Sequence, residues 1–171
     1  MNVLIFAETA NGKLKKAALE AATYGRKLAA QLGGATSAFI IGAVDESEAR
    51  KLERYGVNKI YTLNHPELTA FRAAPYTGAL KAAADTAQAS TIVMGQSYNG
   101  RAAAPRLAVR FDAALLSGVI ATPVQEGGEL VFRRTAYSGK AVQIVATSAQ
   151  RLVITVKANA IQPEEAPVSA T

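Results

Sequence analysis

The chain has 171 residues, 50% of them hydrophobic and 19% charged, and 19 Lys and Arg against 13 Asp and Glu give a net charge of +6. This composition supports one folded domain with a proper core and excludes a disordered chain. With no cysteine and a single histidine, it excludes disulfides, thiolate zinc sites, cysteine nucleophiles and multi-histidine metal centres, and leaves a serine triad almost no base to draw on.

In chain order, Val3–Ala7 is an unbroken apolar run, the kind of strand a parallel sheet buries on both faces. The chain enters it directly from Met1, without the basic start and apolar stretch of a signal peptide. No apolar run reaches the ~18 residues that cross a membrane, so a cytoplasmic protein is the expectation. The loop Glu8–Gly12 follows. A helix then carries Leu14, Ala17, Ala18, Ala21, Ala22, Gly25, Leu28, Ala29 and Leu32 on one stripe, leaving Lys15, Lys16, Glu20 and Lys27 for the wet face. Gly33-Gly34 ends it.

A strand at Thr36–Ile41, a short charged helix at Glu46–Tyr55 stopped by Gly56, and a strand at Lys59–Leu63 come next. Asp45 and Glu46 read as the cap and first-turn acid of that helix. The lone histidine, His65, precedes Pro66 and reads as a surface turn residue. Helix is expected over about Pro75–Ala87, strand over Thr91–Met94, a basic helix over Asn99–Phe111, and strand over Ala113–Ala121 with a weak point at Gly118.

Strands alternating with helices imply parallel βαβ units with right-handed crossovers. The C-terminal part differs. Glu129–Tyr137 and Lys140–Thr147 are two β runs joined at Ser138-Gly139, preceded by a tight turn at Glu126-Gly127-Gly128. They are expected as antiparallel strands on the sheet edge. One more apolar strand spans Arg151–Lys157, and residues 162–171 have linker composition.

No motif declares a reaction. Gly139-Lys140 is not a P-loop: Arg134 stands at the first glycine position, Ala141 replaces the hydroxyl, and the context is β. The first-strand loop has only Gly12 and no dinucleotide fingerprint. Nucleotides also bind at helix N-termini without such motifs, so the candidate binding residues are Glu8 and Asn11 after the first strand and Gln96, Ser97 and Gly100 after the fourth. Glu8 is the only acid at a strand end on that edge and lacks a second carboxylate for acid–base work. Ser97 and Ser117 have no obvious base. No catalytic residue is assigned. Basic residues mix with acids, as in Lys51-Leu52-Glu53-Arg54, and aromatics do not interleave with them, so nucleic-acid binding is not expected. Alanine-rich faces suggest a protein partner. Arg101, Arg106 and Arg110 are the candidate contacts, with Arg106 and Arg110 one turn apart on one helix face.

Several segments, in order, resemble the N-terminal domain of the electron-transfer flavoprotein α subunit. They are Val3–Glu8 followed by Asn11–Leu14, Tyr55–Tyr61, Pro75-Tyr76, Gly100-Arg101 with Ala104–Arg110, Leu116–Val119, and Arg134–Ala141. The run Gly-Arg-x-x-Ala-Pro-Arg-Leu-Ala-x-Arg is the most specific. Gly118, Ser138, Lys140 and Lys157 depart from common family residues. The resemblance implies a three-layer α/β sandwich with a mostly parallel wound sheet, adenine-nucleotide-hydrolase-like, over residues 1–161, and a linker-like tail from 162 to 171. It implies an electron carrier rather than a catalyst with its own substrate. The scaffold domain would pack on a β subunit and support a flavin domain in electron transfer from dehydrogenases, such as acyl-CoA dehydrogenases, to a quinone oxidoreductase. FAD would lie outside this chain, whose sequence lacks the family's Gly-Gln-Thr-Gly-Lys element, and AMP is a candidate ligand of the partner subunit. A different class is kept beside it: a stand-alone nucleotide-binding α/β module of the stress-protein type. A hydrolase or ligase of the adenine-nucleotide fold would need a Ser-Gly-Gly type loop after the first strand, which Glu8–Gly12 is not.

Overall fold

The apolar run near the N-terminus forms strand β1 (Asn2–Phe6), with Val3, Leu4, Ile5 and Phe6 all withdrawn from water. In this computed structural model residues 1–168 are described; Ser169–Thr171, the last three of the expected tail, lie outside the described residues. A two-strand hairpin follows, β2 (Thr9–Ala10) and β3 (Lys13–Leu14), where the sequence suggested a loop. Its turn residues Asn11 and Gly12 both have positive φ, 50° and 73°, as an Asn-Gly hairpin turn requires. Helix α1 (Lys16–Gln31) returns the chain to β4 (Thr36–Ile41). The charged segment after it is α helix only in α2 (Glu46–Ala49) and tightens to 3₁₀ over Arg50–Tyr55. Asp45 holds the cap position, but its side chain makes no capping bond. Glu48 instead ties α2 back to the hairpin by accepting from Leu14 N–H at 3.1 Å.

Strand β5 (Lys59–Leu63), a 3₁₀ turn at Pro66–Leu68, helix α3 (Ala73–Thr86), strand β6 (Ala89–Gly95), helix α4 (Tyr98–Phe111) and strand β7 (Ala114–Val119) continue the alternation. His65 caps the 3₁₀ turn, its Nδ1 accepting from Glu67 N–H at 3.2 Å. Strands β8 (Val124–Glu126), β9 (Glu129–Ala136) and β10 (Ala141–Thr147) form an antiparallel arm, and β11 (Leu152–Val156) re-enters the sheet centre. Strand order is β10-β9-β7-β11-β6-β1-β4-β5, with β8 on β9. Contacts from β7 through β5 are parallel and those of the arm antiparallel. The expected α/β class with added antiparallel strands is the observed one.

Two cores flank the sheet and make three layers. One joins α1 and Leu52 to Val3, Ile5, Ile40, Ile154 and Phe132. The other joins α3 and α4 to Leu4, Phe6, Ile92, Met94 and Val153. Consecutive residues of β1 therefore serve opposite cores, as strand alternation dictates. Alanines on the inner face of α1 let it approach closely. Glu20 does not lie on the wet face of α1 as its position suggested. It is 2% exposed, because the turn after β11 folds across the helix and Asn159 N–H donates to both of its carboxylate oxygens, at 3.3 and 3.2 Å. Among the described residues no helix is long and apolar enough to cross a membrane, and no cluster of metal-ligating side chains occurs.

Residues 162–168 have no regular structure but are tied down. Glu164 pairs with Arg26 and Lys27 at 3.1 and 2.6 Å, and Ala166 and Val168 N–H groups donate to the carbonyls of Arg54 and Glu53. The hydrogen bonds from Lys27 and Arg26 hold the Glu164 carboxyl below its ordinary pKa of 4.5. A lowered folded-state pKa gives attachment that is complete above the unfolded value and lost as pH falls through the folded one. Relative to the intrinsic exchange rate at each pH, protection of the Ala166 and Val168 amides should be lost as pH falls below 4.5 while β1 amides stay protected; equal protection down to global unfolding would show that Glu164 does not hold the segment. A second expectation concerns Tyr24, fully buried with a hydroxyl that finds no partner among the described residues. Burial pushes its phenol far above the ordinary range. Removing an unsatisfied buried hydroxyl relieves a desolvation cost, so Tyr24→Phe should unfold at equal or higher urea concentration than wild type, with a gain of up to about 1 kcal/mol.

Candidate functional site

From β1 the chain winds outward through β4 to β5, then crosses back to place β6 on the other side of β1. The boundary between β1 and β6 is the switch point of the sheet, and the crevice outside the C-terminal ends of these strands is where open α/β sheets bind ligands. Glu8 leaves β1 into this crevice, and Ser97 leaves β6 into it.

The structure brings Glu8, Ser97 and Gly100 together. The Glu8 carboxylate is nearly buried, at 5% exposed. Ser97 Oγ donates to Glu8 Oε1, and Lys15 Nζ donates to Oε2 at 2.8 Å. The same serine hydroxyl caps α4 by accepting from Gly100 N–H at 2.9 Å. Gly100 has a packing reason to lack a side chain: a Cβ there would overlap the Gly95 carbonyl oxygen at the end of β6. Lys15 is the member that sequence reasoning missed. Its helical spacing points to the wet face, yet the β2–β3 hairpin folds back so that Lys15 N–H donates to the Glu8 carbonyl at 3.0 Å. Tyr76 also senses this charge: burial first, and then Glu8, raise its phenol above the ordinary value.

The other two candidates go elsewhere. Gln96 donates its N–H to the Val156 carbonyl at 2.8 Å, and its side-chain amide lies against Gly118, where a Cβ would come within 3.0 Å of it. Gly118 itself has φ 72° beside a register shift between β7 and β11, the weak point anticipated in that strand. Asn11 sits exposed at the hairpin turn, on a shallow hollow of about 430 Å³ shared with Gly12, Gly42–Asp45, Thr62 and Asn64. The five candidates are thus not one pocket.

At the switch point the chemistry is that of a clamp. One carboxylate is paired with one ammonium and accepts from one hydroxyl, and the serine hydroxyl is committed to Glu8 and to Gly100. An anion brought to the α4 N-terminus would meet the buried Glu8 carboxylate and find the Gly100 N–H already bound to Ser97, so this corner is a poor seat for a pyrophosphate.

The three arginine candidates lie on the outer surface of α4, exposed and, among the described residues, outside every ion pair. Arg106 and Arg110 border a groove of about 410 Å³ with Ala74, Thr77, Pro105 and Val109. The Arg110 guanidinium reaches over Gly78 of α3. Pro105 stands inside α4. Because proline has no N–H, the Arg101 carbonyl four residues earlier loses its usual intrahelical donor.

The clamp makes a stability prediction. Ser97→Ala removes the α4 cap and one Glu8 partner together, and should lower unfolding free energy by about 1–2 kcal/mol in urea titrations. Gly100→Ala should cost more than that, since backbone must move. Wild-type stability for both would show that the clamp contributes nothing.

The sequence matches the family described as electron transfer flavoprotein domain over residues 3–171. It is 29% identical over 167 residues, 98% of this chain and 50% of the relative, to the electron transfer flavoprotein subunit alpha of Bacillus subtilis. It is 31% identical over 138 residues, 81% of the chain and 42% of the relative, to the subunit of the same name from Thermoanaerobacterium thermosaccharolyticum. The acryloyl-CoA reductase electron transfer subunit beta of Anaerotignum propionicum is 30% identical over 114 residues, 67% of the chain and 31% of that protein. The chain spans about half, or less, of the length of these relatives. With nearly every residue inside the match and the fold in agreement with it, the chain belongs to the electron transfer flavoprotein family, as an alpha-subunit N-terminal domain.

Proposed function

We propose that this domain is the flavin-free scaffold of an electron transfer flavoprotein alpha subunit, packing on a beta subunit and supporting a separate FAD-binding domain. The observation that carries this reading is the family match running through residues 3–171 on a domain whose switch-point crevice is clamped by its own Glu8 and Ser97. Flavin supplies the electron chemistry, and protein supplies binding, orientation and electrostatics. The electron donor is a dehydrogenase of the acyl-CoA class, the acceptor a quinone oxidoreductase, and AMP, where it occurs, belongs to the beta subunit. The α4 arginines serve as contacts for carboxylates of the partner protein, since exposed guanidiniums outside every ion pair among the described residues complement such a surface.

The test is association of the purified chain with the beta subunit from the same source. A one-to-one complex on size exclusion is expected, with the chain colourless before mixing. Arg106→Glu with Arg110→Glu should weaken the complex at least tenfold, and high salt should reduce that difference. Absence of any complex, stoichiometric flavin on the isolated chain, or micromolar AMP binding to it would overturn the reading; the last result points to the stand-alone nucleotide-binding module.

A further inference from the structure

The antiparallel arm β8–β10 has one face turned into the core and one turned out. Phe132, fully buried, packs with the α1 side of the sheet, joined by Leu130 and Val145. Alternation then turns Val131 and Arg133 of β9 the other way. Strand pairing sets Val124 opposite Val131, Val131 opposite Ala146, Arg133 opposite Ile144 and Thr135 opposite Val142. The outward face is therefore mainly aliphatic, and it is wet: Val124 is 49% exposed, Val142 57% and Ile144 67%. An antiparallel sheet with one solvated face normally turns polar residues outward. Here the pattern is reversed along β10.

Strand β10 also ends the sheet. Ala141–Thr147 contains no charge, no proline and no register break, although proteins blunt free edges with just those devices. The opposite edge has one of them. Strand β5 begins at Lys59, whose ammonium lies 5.1 Å from the centre of the Tyr61 ring. One edge is guarded and the other is left ready for pairing.

From these observations we infer that the outer face and free edge of β10 form a protein interface, with Val142 and Ile144 as its apolar anchors, and that its occupant is an uncharged strand or sheet face ringed by carboxylates on a different chain. Charge selects this occupant over a second copy. Arg133 stands exposed across from Ile144, Lys140 directly precedes the strand, and Lys157 reaches to within 3.6 Å of a Cβ position at Gly139 in the connecting turn. The nearby acids, Glu126 and Glu129, are confined to the far β8–β9 turn. Two copies, each of net charge +6, repel one another and bring no carboxylates to that cationic rim, whereas an acidic rim neutralises it. In the reading proposed above, on which this inference rests, that chain is the beta subunit.

The experiment is binding of the beta subunit to the full chain and to Val142→Lys with Ile144→Lys, with amide exchange read on the wild-type complex. Both positions are exposed, so the variant should melt within a few degrees of wild type. It should bind at least a hundredfold more weakly, while Thr62→Lys on the opposite edge strand binds as wild type. Amides of Ala141–Thr147 should exchange at least tenfold more slowly in the complex. Equal binding by the variant, or unchanged β10 exchange in a complex that forms, would overturn this surface and leave the proposed function standing. Self-association of the chain, abolished by the two lysines, would overturn the occupant in favour of a second copy. No binding by wild type would overturn the proposed function and the occupant together.

Discussion

Strand β1 is bounded on both sides by parallel strands and on both faces by helices, and each layer of the molecule is placed by that double burial. Val3 and Ile5 lie in the α1 core, Leu4 and Phe6 in the α3–α4 core. A fully buried strand must satisfy its peptide groups through its neighbours, and β4 and β6 provide those partners in continuous register from Val3 to Phe6. Their positions then oblige the chain to wind out and back, which creates the switch point. The crevice there is a by-product of burying β1, and any residue leaving β1 must enter it.

What enters it is a carboxylate. Burying Glu8 is unfavourable unless charge and hydrogen bonds compensate, and Lys15 and Ser97 do so from two different directions. The local hairpin supplies the lysine, and the strand on the other side of the switch point supplies the serine. The clamp thereby fastens the first loop to the α4 cap and fills a position that other sheets of this kind leave for anions. This physical picture is consistent with the scaffold role proposed for the domain.

Much of the architecture could be read from residues because it follows from periodicity. The unbroken apolar run 3–7 and the strand-like stretches 36–41 and 91–94 identified the central strands, and the alanine stripe of 17–29 identified α1. The segments that escaped are those with too few residues for a period. Strands β2, β3 and β8 have two or three residues each, although Asn11-Gly12 is itself a hairpin signal. The ordered family resemblance compensated where individual motifs were weak. Side-chain partnerships were the least legible part. Glu20 looked like any helix-surface acid, since nothing in its vicinity announces a turn from residue 159 closing over it. Lys15 looked equally solvated, because its partner becomes a neighbour only once the hairpin folds. The outward face of β10 was hidden for another reason: Val142, Ile144 and Val145 look alike in sequence, and only pairing with β9 sorts them into wet and dry.

The arm meets the parallel sheet through a narrow junction, the Val119–Arg134 pair and the Ile120 N–H bond to the Arg133 carbonyl, with Phe132 as the inward anchor. Its outer side chains therefore share almost no packing with the rest of the molecule. Drift at those positions is cheap in folding terms, so recognition can diversify between lineages while the wound sheet stays the same. A conserved body with an evolutionarily labile limb is the expected outcome of that attachment.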